Sequence, residues 1–351
     1  MTSPVFVAGP SRSGTALVRS LLNGHPEIHI ANETHFFDDL RRRVPIEGRL
    51  GPDEQAVVVD YFRALTHRPY GHFGDPERGW LDAAELSARA AALGGRADAF
   101  LRAYCEVSAI HDDGRVARIW GEKTPRHIFR VDEILEAFPD ARVVAMVRDP
   151  RAVVASYKKW RNQGGLPGAD DPAHEVKLAA EAERTRRSYH PVLLSLLWRG
   201  QANAAAAALE RHGPERVWLQ RYEDLVVRPE ATGRGMTEWL GLEFVPEMLD
   251  VPMHNSSFST FDEGKGVTAE AVERWRDVLD PSEVAAVQRT CAALMASHGY
   301  EAISTSASVL ARMRPYATFP YASLEALRAN GDRSGGLPSF VARRVRALLS
   351  G

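Results

Sequence analysis

The stretch Val5-Phe6-Val7-Ala8-Gly9-Pro10-Ser11-Arg12-Ser13-Gly14-Thr15 decides how the chain is read. Its apolar start predicts a buried strand, Gly9-Pro10-Ser11 a tight turn, and Thr15–Leu22 a helix. Four residues separate Gly9 from Gly14, the glycine spacing of a phosphate-cradling loop. Loops that hold nucleoside triphosphates place Lys directly after the second glycine, and here that residue is Thr15. The positive charge sits inside the turn instead, at Arg12. Backbone N–H groups at a helix N-terminus still favour an anion. The turn is therefore expected to hold a phosphate-like group without the triphosphate lysine.

Outward from this turn the pattern alternates. The breakers Asn23-Gly24-His25-Pro26 stop the helix, and Ile28–Ala31 reads as a second strand leading into Asn32-Glu33-Thr34-His35. Residues 36–97 are rich in Pro and Gly and read as helices joined by loops, an insertion over the site. Asp98–Ile110 is expected to be helical, Arg115–Glu122 a strand, and Thr124-Pro125 the start of a helix that ends near Phe138-Pro139. Arg142–Val147 carries five apolar residues behind an arginine and reads as a buried parallel strand. Pro150 suits the first turn of the following helix, which runs to about Trp160.

Gly164–Pro172 is expected to be a loop, and Glu175–Arg211 a long Ala-rich helical region with a break near Pro191. Val217–Gln220 predicts a strand, and Pro229–Leu240 and Pro281–His298 predict helices. This alternation argues for an α/β fold: a P-loop-like parallel sheet flanked by helices on both faces, with a helical insertion and a C-terminal extension. The expected domain spans 1–303, with 36–97 as a substrate lid. Past about Ser304 the composition shifts, with Pro, Gly and Ser clustered over 330–339. Phe340–Leu349, with Arg343, Arg344 and Arg346, reads as a short basic amphipathic helix. Docking on the parent domain or a partner subunit suits it better than a membrane surface, which needs more apolar area.

Composition narrows the class of partner. The 351 residues carry a net charge of about −2, so no global basic field draws the chain to nucleic acid or membrane. Any anion site must then be built from local arginines. The two cysteines, Cys105 and Cys291, have no metal-binding spacing, which fits a reducing cytoplasm. No signal-peptide pattern opens the sequence, and no apolar run approaches the roughly 20 residues of a membrane span.

In α/β sheets ligands sit at the C-terminal ends of the strands. The polar residues just past the predicted strands should therefore converge: Arg12, Ser13, Gly14 and Thr15, then Glu33, Lys123, Arg148 and Tyr222. Arg148 stands where a P-loop hydrolase carries a Mg²⁺-holding Asp at the end of a buried strand. A guanidinium there binds phosphate directly through its bidentate fork. Ser156, two helical turns on, is placed to donate to the same phosphate. Thr15 and Arg148 together point to a phosphorylated cofactor held by arginine and backbone, with no metal required.

Three blocks of these residues resemble a known family. Pro10-Ser11-Arg12-Ser13-Gly14-Thr15 with Leu21, His25-Pro26 and Glu33-Thr34 looks like the start of sulfotransferases that use 3′-phosphoadenosine-5′-phosphosulfate (PAPS). The branch it resembles contains tyrosylprotein and related bacterial enzymes. Val147-Arg148-Asp149-Pro150-Arg151 with Ser156 resembles the family's 3′-phosphate-binding strand and helix, and Tyr222-Glu223-Asp224-Leu225 with Pro229 stands at a family-like place. The resemblance covers residues 4–230, without Phe36–Asp98 and the tail past 304.

It implies roles. Arg12, Ser13, Gly14, Thr15 and Ala16 would wrap the 5′-phosphosulfate, Arg148 and Ser156 would bind the 3′-phosphate, and Tyr222 would line the adenosine diphosphate site. Glu33 would be the general base. Lys123, in Gly121-Glu122-Lys123-Thr124-Pro125, would stabilise the sulfuryl group in transfer, and Arg12 would assist. Ser259 and Lys265 fall near a loop that closes over the cofactor. The branch has a further arginine half a helix beyond Ser156, at a place near Trp160 here, with Lys158 and Lys159 beside it.

The implied product is 3′-phosphoadenosine 5′-phosphate (PAP). High Ala and Arg usage suggests a bacterial source, so the expected acceptor is a secondary metabolite, carbohydrate or lipid hydroxyl (or an amine). Nucleic acid and stable membrane insertion are not expected, and a homodimer is among the allowed assemblies. Two other classes remain open. A kinase on this scaffold would show Mg²⁺ dependence and ATP affinity, and Thr15 and Arg148 speak against it. A non-catalytic nucleotide-binding protein would not need the full set Arg12, Glu33, Lys123, Arg148 and Ser156.

Overall fold

The computed structural model describes residues 3–67, 74–162, 172–250 and 272–331. It divides into two compact units. The first comprises Met1–Met146, Ala205–Met253 and Glu263–Val267, and the second comprises Val147–Ala204, His254–Asp262 and Thr268–Gly351.

The first unit is built on strands β1 (Val5–Ala8), β2 (Ile28–Ala31), β3 (Ile119–Lys123), β4 (Arg142–Val147) and β5 (Val217–Arg221), in the order β2-β3-β1-β4-β5. The pairings β2–β3, β3–β1 and β1–β4 are parallel, with Val5 opposite Gly121 and Arg142. Parallel sheets are covered on both faces, so their strands read as continuous apolar runs. That is why β1, β2 and β4 are visible in the sequence with these bounds. The β3 strand begins at Ile119, later than the run from Arg115 suggests. Arg115 instead caps carbonyls of Asn23 and Ile28 through Nη2 at 3.0 and 3.1 Å, and Val116 is exposed.

Alternate strand residues face opposite sides. Val5, Val7, Ile28, Ile30, Val144 and Met146 pack in one aliphatic cluster with helix α1 (Thr15–Asn23), and with Leu225, Met236 and Leu240. Phe6 faces the other way, edge-on to Phe37 and Trp120 at centroid distances of 6.0 and 6.2 Å. Each such side chain taken fully from water contributes about 1.5–3 kcal/mol.

The described part of segment 36–97 carries a π-helical turn Phe36–Leu40, α2 (Pro52–Thr66), a 3-10 turn Pro76–Arg78 and α3 (Ala83–Ala92), joined by turns and irregular stretches. Its inward residues Phe36, Phe37, Leu40 and Phe62 are fully buried and therefore core. Helix α4 (Ala97–Asp113) follows, and Tyr104 stacks on Phe62 at 4.7 Å. The region after β3 is a 3-10 turn, Pro125–Arg130, and then α5 (Val131–Ala137).

Helix α6 (Pro150–Asn162), α7 (Pro172–Ser188) and α8 (Pro191–His212) come next, with the expected break before Pro191. Helices α9 (Tyr222–Val227) and α10 (Pro229–Leu240) follow β5. In the second unit Val154, Ala155, Leu194, Trp275, Leu279, Val284 and Val287 form a cluster that includes α11 (Trp275–Val278) and α12 (Pro281–Ser297). Asp280 and Glu283 close a reciprocal cap on α12. Helix α13 (Val309–Ala329) was not legible in the sequence, because Pro315 and Pro320 lie inside it. Tertiary bonds hold it: Tyr316 Oη donates to the Ala286 carbonyl at 3.2 Å, and Arg187 pairs with Glu325 at 3.0 Å. Phe340–Leu349 and residues 164–171 of the expected loop lie outside the described residues. Among the described residues no helix is long and apolar enough to cross a membrane.

Candidate active site

The turn after β1 adopts a conformation that few residues tolerate. Gly9, Arg12 and Gly14 have φ of 140°, 72° and 92°. Glycine tolerates this region at Gly9 and Gly14, and Arg12 enters it without that freedom. Ser13 N and Oγ both donate to the Pro10 carbonyl, which closes the turn. Val18 N then donates to Gly14 O at 3.0 Å as α1 begins. Arg12, Ser13, Gly14, Thr15 and Ala16 thus share one loop-to-helix junction, and Ala16 is exposed while Ser13 and Thr15 are buried. An anionic group placed here would meet the N-terminus of α1 behind Gly14.

Tyr222, at the start of α9, packs against the same turn. A Cβ on Gly14 would stand 2.5 Å from Tyr222 Cδ2. Gly14→Ala is therefore expected to destabilise twice, through strain of about 1–3 kcal/mol for the positive φ and through displacement of the ring. Denaturant unfolding checks this. Adding Tyr222→Ala should remove the steric part of the loss and leave the conformational part.

Glu33 and Lys123 meet. Lys123 Nζ lies 2.6 Å from Glu33 Oε1, and His35 Nε2 lies 3.3 Å from Glu33 Oε2. Burial pushes the Glu33 carboxyl up, but Lys123 and His35 outweigh it and hold the group well below the usual carboxylate range. Glu33 is thus a charged acceptor at neutral pH, with a cation on one oxygen and an imidazole on the other. His35, with φ 51°, turns the chain from β2 into the π-helical segment.

Behind this pair lies a buried network that sequence reasoning missed. Glu122, Thr34, Thr124 and His127 are all fully buried. Glu122 Oε2 accepts from Thr34 N, Thr34 Oγ1 and Thr124 Oγ1 at 3.2, 2.9 and 2.6 Å. Its other oxygen lies 2.5 Å from His127 Nδ1. Burial raises the Glu122 carboxyl, and His127 and the threonine hydroxyls more than compensate, so it too lies below its ordinary range. The available signal was a glutamate inside the apolar strand Ile119-Trp120-Gly121-Glu122-Lys123. Neighbouring strand residues face opposite sides, so two adjacent ionisable groups cannot serve one surface.

Arg148 and Ser156 belong to the second unit. The Arg148 carbonyl accepts from Trp198 Nε1 at 2.9 Å, which fixes the junction before α6. Asp149 pairs with Arg151: its carboxylate accepts from Arg151 N at 2.8 Å and from both Nε and Nη2 of that guanidinium. Lys158 bonds Glu283 at 2.5 Å, so its ammonium is committed to α12. Ser259 and Lys265 lie outside the described residues.

The description "Sulfotransferase family" matches residues 4–246 of this chain. Carbohydrate sulfotransferase 3 of Tetronarce californica is 25% identical over 186 residues, covering 49% of this chain and 38% of that protein. Protein-tyrosine sulfotransferase A of Caenorhabditis elegans is 24% identical over 309 residues, covering 86% of this chain and 68% of that protein. The chain thus spans well under half the length of the carbohydrate enzyme. Among solved structures, the sulfotransferase domain of the Synechococcus PCC 7002 olefin synthase aligns with a TM-score of 0.48 at 19% identity, over 86% of this chain and 97% of that one. The chain belongs to the sulfotransferase family.

Proposed function

We propose that this chain moves a sulfuryl group from PAPS to a hydroxyl or amine acceptor, with Glu33 as general base and without a metal. The observation that carries the reading is the Glu33–Lys123 pair at 2.6 Å, on the unit that also bears the Arg12–Ala16 turn. A base and a cation then stand together near a turn that lacks the triphosphate lysine. Bound PAPS would supply the sulfuryl group and a phosphate leaving group.

The chain's own groups do the rest. Backbone N–H groups of the turn and Arg12 hold the 5′ end. Glu33 takes the acceptor's proton as attack proceeds, a contribution of about 10²–10⁴ in rate. Lys123 and Arg12 are assigned to the negative charge that builds on the transferring oxygens. Tyr222 lines the diphosphate side. Arg148 and Ser156 are assigned the 3′-phosphate, and Ser259 and Lys265 closure over the donor, on family resemblance. The names of the relatives, carbohydrate and protein-tyrosine sulfotransferases, support hydroxyl acceptors; a secondary-metabolite, carbohydrate or lipid hydroxyl is assigned here from the sequence composition, and residues 36–97 are assigned to shaping its entry. Cys105 and Cys291 are buried thiols that burial raises above their ordinary range, in keeping with a reducing, cytoplasmic setting.

The test is transfer of label from ³⁵S-labelled PAPS to a panel of sugar, lipid and phenolic hydroxyls in the presence of EDTA. Acceptor-dependent transfer is expected. Label released only as free sulfate, with no acceptor modified, would favour a nucleotide-binding protein without transferase activity.

A further inference from the structure

We infer that Glu122 is a positioning residue, which locks the turn bearing Glu33 onto the strand end bearing Lys123 through Thr34 and Thr124. The inference rests on the roles proposed above for Glu33 and Lys123. Thr34 lies between Glu33 and His35, and Thr124 directly follows Lys123. Glu122 Oε2 accepts from both threonine hydroxyls, and Thr124 Oγ1 in turn accepts from Thr34 N and His35 N at 3.1 and 3.3 Å. Two loops about ninety positions apart in sequence are thereby tied by one carboxylate. Tyr61 of α2 adds a third tether, donating to the Thr34 carbonyl at 2.6 Å.

The Glu122 carboxylate and both threonine hydroxyls are fully buried and hydrogen-bonded, while His127 Nε2 has no hydrogen-bond partner among the described residues, so the carboxylate side of the network has few alternative arrangements. A buried carboxylate with His127 on one oxygen and two hydroxyls on the other cannot shift without leaving donors unpaired, which is costly. In the functional pair Lys123 is buried but Glu33 is partly exposed, at 29% side-chain exposure against 0% for Glu122. The carboxylate at the rear is thus the fixed point, and the partly exposed one at the front is the one an acceptor hydroxyl would reach. Displacement of about 1 Å at such a pair can cost a hundredfold in rate.

Glu122→Met keeps length and removes both acceptors, whereas Glu122→Gln keeps an oxygen for the threonines and places an amide toward His127. Glu122→Met is expected to lower kcat about a hundredfold with donor KM and PAP affinity unchanged, and Glu122→Gln to restore most of it. Thr124→Val and Thr124→Ser form a second pair with the same expected contrast, which serves if Glu122→Met does not fold. A readout without donor separates positioning from packing: the Glu33 carboxyl, followed by ¹³C NMR, should titrate closer to its ordinary range in Glu122→Met and Thr124→Val and stay depressed in the conservative variants. The groups that face Glu33 are Lys123, His35 and, from α1, Arg19; those that face Glu122 are His127, the two threonines and, from α4, Cys105.

Unchanged kcat and unchanged Glu33 titration in folded Thr124→Val would overturn the inference. So would a loss in which PAP affinity falls together with kcat. Full activity of Glu33→Gln would remove the base assignment instead, and the NMR titration would still report whether Glu122 positions Glu33.

Discussion

Glu33→Gln is expected to lower sulfuryl transfer by about 10²–10⁴, the range for loss of a positioned base, while PAP binds as it does to the parent chain. Glutamine keeps the shape and can still accept from Lys123 Nζ, which lies 2.6 Å from Glu33 Oε1. It cannot take a proton, so the loss belongs to kcat. The low-lying Glu33 carboxyl predicts a second signature. Its folded-state pKa is depressed, so its ionic contribution to stability is present above the unfolded value of about 4.3 and is lost as pH falls through the folded value. The stability gap between parent and Glu33→Gln should therefore be full at neutral pH and close only at pH values well below the ordinary carboxylate range. Thermal unfolding across acidic pH checks that, and single-turnover kinetics checks the rate. Full turnover in the variant would take Glu33 out of the reaction.

Arg148→Ala is expected to discriminate between ligands rather than to lower all affinities. A charge-assisted contact to phosphate contributes about 1.5–3 kcal/mol, or roughly 10- to 150-fold in Kd. That loss should appear with PAP and be nearly absent with adenosine 5′-phosphosulfate, which lacks the 3′-phosphate. The junction keeps two anchors that lie outside the Arg148 side chain. Trp198 bonds the Arg148 carbonyl, and Asp149 is engaged with Arg151. Arg148→Lys, which keeps charge but not the planar fork, should fall between. Equal losses for both ligands would show that Arg148 does not read the 3′-phosphate.

Much of the sheet was legible because a parallel strand buried on both faces is an unbroken apolar run. Val5–Ala8, Ile28–Ala31 and Arg142–Val147 have the bounds the sequence suggests. Single-residue punctuation also reads well, as at Gly24, Pro150 and Pro191. Helix α13 did not, since its support comes from α7 and α12 rather than from its own residues, two of which are prolines. The candidate site divides the same way. The Arg12–Ala16 turn is local and its glycines announce it. Glu33 and Lys123 were expected to converge at the strand ends, but their direct pairing was not read from the sequence, because no local pattern records which side chains will touch there. Glu122 was hidden further still. A glutamate in a strand is assigned by default to a solvent face, and only the threonines and His127 that surround it explain its burial.

We propose above all that this chain holds a bisphosphorylated adenosine without a metal. Calorimetry with PAP in EDTA, set beside ATP with Mg²⁺, tests it most directly. Saturable association of PAP with no measurable heat from the magnesium triphosphate is the predicted result. Tight binding of Mg-ATP with no association of PAP would contradict it.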